Sequence, residues 1–114
     1  MAGQPNRGTG PRPHTWVTGP DLQTHLQYRA WLQSRAQANF RAEPWSLAFP
    51  EYQLIWEYRW HLRGRTRDTL CLTRTDPDSG WSSTNCELIT RAQHSQRQAS
   101  ALRLRRALKA AAHR

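Results

Sequence analysis

Three consecutive pieces of this sequence constrain its fold more than any other feature: Thr69–Thr73 (TLCLT), Asp76–Gly80 (DPDSG) and Cys86–Thr90 (CELIT). The first alternates in polarity and is rich in β-forming residues, which predicts a strand. The second has strong turn chemistry, with Pro77 preset in φ and Gly80 permissive. The third returns as the second strand of a hairpin. Thr90 then caps a helix that runs toward the C-terminus, with Ala101, Leu104, Leu108 and Ala111 as a stripe at helical spacing.

Two helices are expected before the hairpin. In the first, Thr18 or Gly19 caps, Pro20 suits the first helical position and Asp21 favours the positive end of the dipole. Leu22 and Leu26, then Tyr28, Leu32, Ala36 and Phe40, recur at intervals of four with Trp31 beside them. Leu47 and Phe49 read as a short extended piece, and Pro50 opens the second helix. There Tyr52, Ile55, Trp56 and Arg59 form one face, and Trp45, Trp56 and Trp60 are expected in the core at a seam between helices. The fold class is therefore α+β: two N-terminal helices, a short β-hairpin and a basic C-terminal helix. The expected organisation is a mobile basic arm over residues 1–18, a single domain over 19–98 and a helical extension over 99–114.

Charge narrows the function classes. Seventeen basic residues face eight acidic ones, for a formal net charge of +9. Sixteen of the seventeen are Arg, and Lys109 is the exception. Arg presents a planar fork that matches phosphate and stacks on bases. A surface of this kind attracts polyanions by releasing their counterions. The Arg63–Asp68 loop holds three Arg, and residues 91–114 hold seven basic residues and no acid. Part of that last run merely suits the helix dipole. No apolar run approaches the roughly 20 residues needed to span a bilayer, and no secretory signal opens the chain. A cytoplasmic protein is expected.

The two cysteines, Cys71 and Cys86, have no CxxC spacing. Together with His94 they would lack a fourth zinc ligand. Two reduced thiols are the default, with a disulfide open if the strands bring them close.

The block LTRTDPDSGWSSTNCELITRAQHSQRQ resembles the end of small phage-encoded HNH endonuclease-type proteins. Leu72, Arg74, Asp76, Gly80, Trp81, Ser82, Asn85, Cys86, Thr90 and Arg91 carry the resemblance, in matching order and spacing. Upstream, YRAWLQSRAQ and PWSLAFPEYQLIW are similar to helical and Trp-containing segments of the same proteins, so the resemblance covers about residues 25–98. It implies a ββα-metal fold in which a hairpin and a following helix hold one divalent metal, Mg²⁺ or Mn²⁺ in an active protein. This chain departs from the pattern where it matters. Thr73-Arg74 stands where active members have Asp-His, and Arg97 falls near a later metal-binding position. Arg stays protonated and cannot act as a general base.

The remaining catalytic candidates are Asp76 and His94. Trp81, Asn85 and Cys86 are expected to be structural. Arg63, Arg65, Arg67, Arg74, Arg91 and Arg97 are the expected phosphate contacts. The expectation is a phage protein that binds nucleic acid, DNA ahead of RNA, on an HNH-like scaffold with little or no nuclease activity. It would act in the cytoplasm of a bacterial host. Two alternatives stand beside it. One is an accessory or virion-associated protein that docks on an acidic protein partner; the other is an active metal-dependent endonuclease.

Overall fold

The computed structural model describes residues 16–112. Three helices and a two-stranded antiparallel hairpin follow one another: α1 (Leu22–Phe40), α2 (Phe49–Trp56), a 3-10 turn (Trp60–Leu62), β1 (Leu70–Arg74), β2 (Cys86–Thr90) and α3 (Arg91–Ala112). This is the α+β layout expected from the sequence. Most of the expected N-terminal arm lies outside the described residues. The chain divides after Trp45 into two compact units.

The first unit contains α1. Its cap is Asp21, not Thr18 or Gly19: a carboxylate oxygen accepts from the Thr24 amide and hydroxyl, both at 2.7 Å. The reason is Gly19, whose φ of 81° closes a turn back to the Trp16 carbonyl and delays the helix. These bonds also hold the Asp21 carboxyl below its ordinary pKa, the Thr24 hydroxyl contributing most. The helix buries Gln27, Ala30 and Ala38. The expected stripe through Tyr28, Leu32, Ala36 and Phe40 is not the buried face, and Phe40 is 91% exposed. Apolar side chains lie on more than one side of α1, so spacing alone did not identify the buried side. The helix ends in a Schellman motif. The Glu43 amide donates to the Ala38 carbonyl (2.8 Å) and the Ala42 amide to the Asn39 carbonyl (3.1 Å). Ala42 takes φ 59° at the position that glycine usually fills.

The second unit carries α2, the hairpin and α3. Helix α2 starts at Phe49, one residue before Pro50, which sits in the first turn where its missing N–H is no loss. Ala48 has no side-chain acceptor, but Glu51 reaches back to accept from the Ala48 amide at 2.8 Å. The helix stops at Trp56, and Tyr58 turns the chain with φ 64°. Arg59 therefore lies outside the helix and not on its expected face. Leu47, Tyr52 and Trp56 are the fully buried large side chains. Trp56 meets Trp60 edge-on at 5.5 Å. Of the three expected core tryptophans only Trp56 is buried, while Trp45 and Trp60 are partly exposed.

The strands pair Leu70 with Thr90 through Arg74 with Cys86. Because side chains alternate across a strand, Cys71, Thr73, Glu87 and Ile89 share one face, and Thr73 and Ile89 are buried there. Leu70, Leu72, Arg74, Cys86 and Leu88 share the other. Helix α3 packs on both strands and α2 on β2. The ion pair of Arg97 with Glu87 (3.0 Å) places α3 over the first face. Cys71 and Cys86 lie on opposite faces and three register positions apart, so pairing of the strands does not bring the two thiols together and the reduced state expected by default holds. Both are free, and burial pushes both pKa values up.

Helix α3 begins where expected. The Gln93 amide donates to the Thr90 hydroxyl (3.1 Å), and the Thr90 amide donates to the Gln93 side-chain oxygen (2.9 Å). This reciprocal pair is a capping box. No helix among the described residues is long and apolar enough to cross a membrane.

Candidate nucleic-acid interface

The 63–69 loop and the start of α3 are joined by hydrogen bonds. The Arg91 amide donates to the Thr69 carbonyl (2.9 Å) and the Ala92 amide to the Arg67 carbonyl (3.1 Å). Arg91 Nε donates to the Gly64 carbonyl. A helix leaves its first amides without intrahelical partners. Here the loop supplies carbonyls for two of them and Thr90 serves a third. The α3 N-terminus is thus closed to a ligand through its amides, and any anion must be met by side chains.

Gly64 makes the close approach possible. A Cβ there would lie 2.9 Å from Thr69 Cγ2 and 3.2 Å from its Cβ. Thr69 is itself held, its hydroxyl donating to the Thr66 carbonyl at 2.8 Å.

The side chains gathered by this junction are mostly cationic. Arg63 lies over the Trp60 ring, 4.9 Å from its centroid. It also lies beside the buried Tyr52 hydroxyl, whose pKa burial raises and Arg63 partly restores. Arg63 is therefore held on rigid aromatic supports. Arg65 and Arg67 are exposed, and their side chains make no hydrogen bond or ion pair with the described residues. Asp68 is the one acid of the loop. Arg91 stands at the first position of α3, where the dipole disfavours a cation. His94 and Arg97 follow at intervals of three on the same helix. Burial lowers the His94 pKa, and Arg91 and Arg97 lower it further, which favours the neutral ring.

The six expected phosphate contacts separate into two groups. Arg63, Arg65, Arg67 and Arg91 belong to the loop–helix junction. Arg97 is engaged with Glu87 nearby on α3. Arg74 lies elsewhere, on the opposite face of the hairpin. It donates to the Ser79 carbonyl at 3.0 Å and stacks over Trp81 at 5.5 Å, which ties the connecting loop to β1.

That loop, residues 75–85, holds Asp76, Gly80, Trp81, Ser82 and Asn85 of the resemblance residues, while Leu72, Cys86 and Thr90 lie on the strands. Asn85 Nδ2 donates to the carbonyls of Gly80 (2.8 Å) and Asp76 (3.0 Å), while its Oδ1 accepts from the Asp76 amide (2.8 Å). Asp76 accepts from the Asp78 amide at 2.9 Å and the Ser79 hydroxyl at 3.0 Å. The Trp81 carbonyl accepts from Ser46, at 2.8 Å from its amide. Each of these contacts lies within the second unit and serves its folding.

Asp76 and His94, the two catalytic candidates, are engaged on different elements: Asp76 within the connecting loop, His94 on α3 between two arginines. Among the described residues, no three His, Cys, Asp or Glu side chains are grouped to hold a metal ion. Thr73 is buried, Arg74 is stacked on Trp81 and Arg97 is paired with Glu87, so the positions that the resemblance would assign to a metal site do not fit a divalent cation. Sequence reasoning missed the junction itself. Its only sequence signals were Gly64 between two arginines and Arg91 directly after the cap. No family model, curated protein or solved structure matches this chain.

Proposed function

We propose that this chain is a nucleic-acid-binding protein of the phage HNH-like type that contacts phosphates through the junction of the Arg63–Arg67 loop with α3, and that it has little or no nuclease activity. The observation that carries the reading is the docking of loop carbonyls on the Arg91 and Ala92 amides, which sets Arg65, Arg67 and Arg91 around one junction. A bound phosphate would relieve the repulsion of Arg91 by the helix dipole and satisfy the two unpaired loop arginines. DNA is the favoured polyanion, with RNA as a second substrate class, in the cytoplasm of a bacterial host. The carboxylate and imidazole that metal-assisted cleavage would use are not brought to this junction together.

The test is a titration of labelled duplex DNA, with an RNA duplex in parallel, across a series of salt concentrations. Each phosphate contact on B-DNA contributes a slope of roughly −0.9 in log K against log salt. Arg65→Gln/Arg67→Gln should make the slope shallower by about 1.8 and weaken every sequence alike. A flat salt dependence, or a double variant that binds as the parent does, would overturn the reading.

A further inference from the structure

Every residue of α3 from Ser95 to Ala112 is exposed. At the usual rise this is about 27 Å of helix. Its apolar side chains are ordered. From Arg97, Ala101, Leu104, Leu108 and Ala111 follow at alternating intervals of four and three, so they lie in one stripe. Arg97 at the head of that stripe is paired with Glu87 of β2. The stripe therefore continues the side of α3 that faces the hairpin, past the point where the hairpin covers it. Leu104 is 60% and Leu108 61% exposed in this stripe, while Leu102, 41% exposed, lies on another side of the helix.

The charges around the stripe select its occupant. Arg103, Arg105, Arg106 and Lys109 lie on this segment, and it contains no acid. Arg105 and Lys109 are nearest to the stripe on one side. A second copy of the chain would set cations against cations there, because flanking charges decide which helices pair. A nucleic acid would use the cations but leave the leucines without a role. An acidic helix with its own apolar stripe uses both. We propose that the distal half of α3 docks an acidic amphipathic helix of a partner protein, with Leu104 and Leu108 in the seam and Arg105 and Lys109 paired to its carboxylates. This surface is separate from the phosphate-binding junction, and either proposal stands without the other.

The probe is a labelled synthetic peptide with Leu at the first and fourth positions of each heptad and Glu flanking them. It is titrated into the full, nuclease-treated chain. A scrambled peptide of equal composition and a short DNA duplex are run in parallel. The Leu/Glu peptide should bind saturably, and the scrambled one about tenfold more weakly or worse. Leu104→Gln/Leu108→Gln and Arg105→Glu/Lys109→Glu should each weaken the Leu/Glu peptide by about tenfold. Neither the Leu variant's duplex affinity nor the peptide affinity of Arg65→Gln/Arg67→Gln should change. Leu104→Ala/Leu108→Ala keeps helix propensity high and repeats the test if the Gln pair disturbs the helix. Equal binding of the scrambled peptide, no binding of the Leu/Glu peptide, or indifference to the Leu substitutions would overturn the proposal. So would loss of duplex binding in the Leu variants, which makes nucleic acid the occupant. Leucine-dependent self-association in sedimentation would assign the stripe to a second copy.

Discussion

Substitution of Asn85 separates a structural reading of the 75–85 loop from a chemical one. Its side chain makes three hydrogen bonds at 2.8, 2.8 and 3.0 Å, two as donor and one as acceptor. Each is worth about 1 kcal/mol net, and water can replace part of it at a half-buried site, so Asn85→Ala should cost about 2 kcal/mol. For a chain of this size that lowers the thermal midpoint by roughly 10 °C. Asn85→Asp is more informative because it is nearly isosteric. It keeps an acceptor for the Asp76 amide but turns an oxygen toward the Asp76 and Gly80 carbonyls. At neutral pH it should cost at least as much as alanine. The introduced carboxyl faces acceptors, so its folded pKa lies above its unfolded value of about 3.9. Its protonated form can donate, so the variant recovers stability in acid relative to the parent. That recovery is lost as pH rises from the unfolded pKa through the folded one. Urea denaturation of parent and variants between pH 3 and 7 measures this directly. An Asn85→Ala change within about 0.5 kcal/mol of the parent, or an Asp variant that is stable at pH 7, would refute the reasoning.

Four further outcomes are expected. The His94 ring should titrate below its ordinary value of about 6.5 in the free protein and shift upward when duplex DNA binds, as followed by NMR; an unchanged value places the phosphates elsewhere. Because its folded pKa is depressed, His94 makes the protein lose stability as pH falls from the unfolded value through the folded one, and His94→Gln should remove that slope in pH-dependent denaturation. Gly64→Ala must displace Thr69 and with it the loop, so it should lower stability by about 1 kcal/mol and weaken duplex binding, whereas parent-like behaviour shows that the loop gives way freely. Ala42→Gly should stabilise the fold by about 0.5–1 kcal/mol, since the left-handed backbone there costs alanine more than glycine loses in the unfolded chain.

The order of elements was legible in the sequence because it rests on local chemistry. Pro77 and Gly80 marked the turn region, alternation marked β1, the return of the chain after the turn marked β2, and Thr90 marked the start of α3 where the capping box forms. Pro50 located α2 to within one residue. Each of these signals acts between residues close in the chain. The α1 cap was misread by a few positions because Gly19 adopts a turn that Pro20 tolerates equally well.

The roles of the charged side chains could not be read in the same way. Arg65, Arg67, Arg74 and Arg97 look alike in the sequence. Among the described residues, folding leaves the first two unpaired, stacks Arg74 on Trp81 and pairs Arg97 with Glu87. Likewise, the sequence showed a stripe from Ala101 to Ala111, but only the length of the hairpin decides that nothing among the described residues covers it. Local preferences determine where helices and strands begin and end. Which side of a helix is buried, and which cation finds an anion, depends on contacts between residues distant in the chain, and these exist only once the chain is folded.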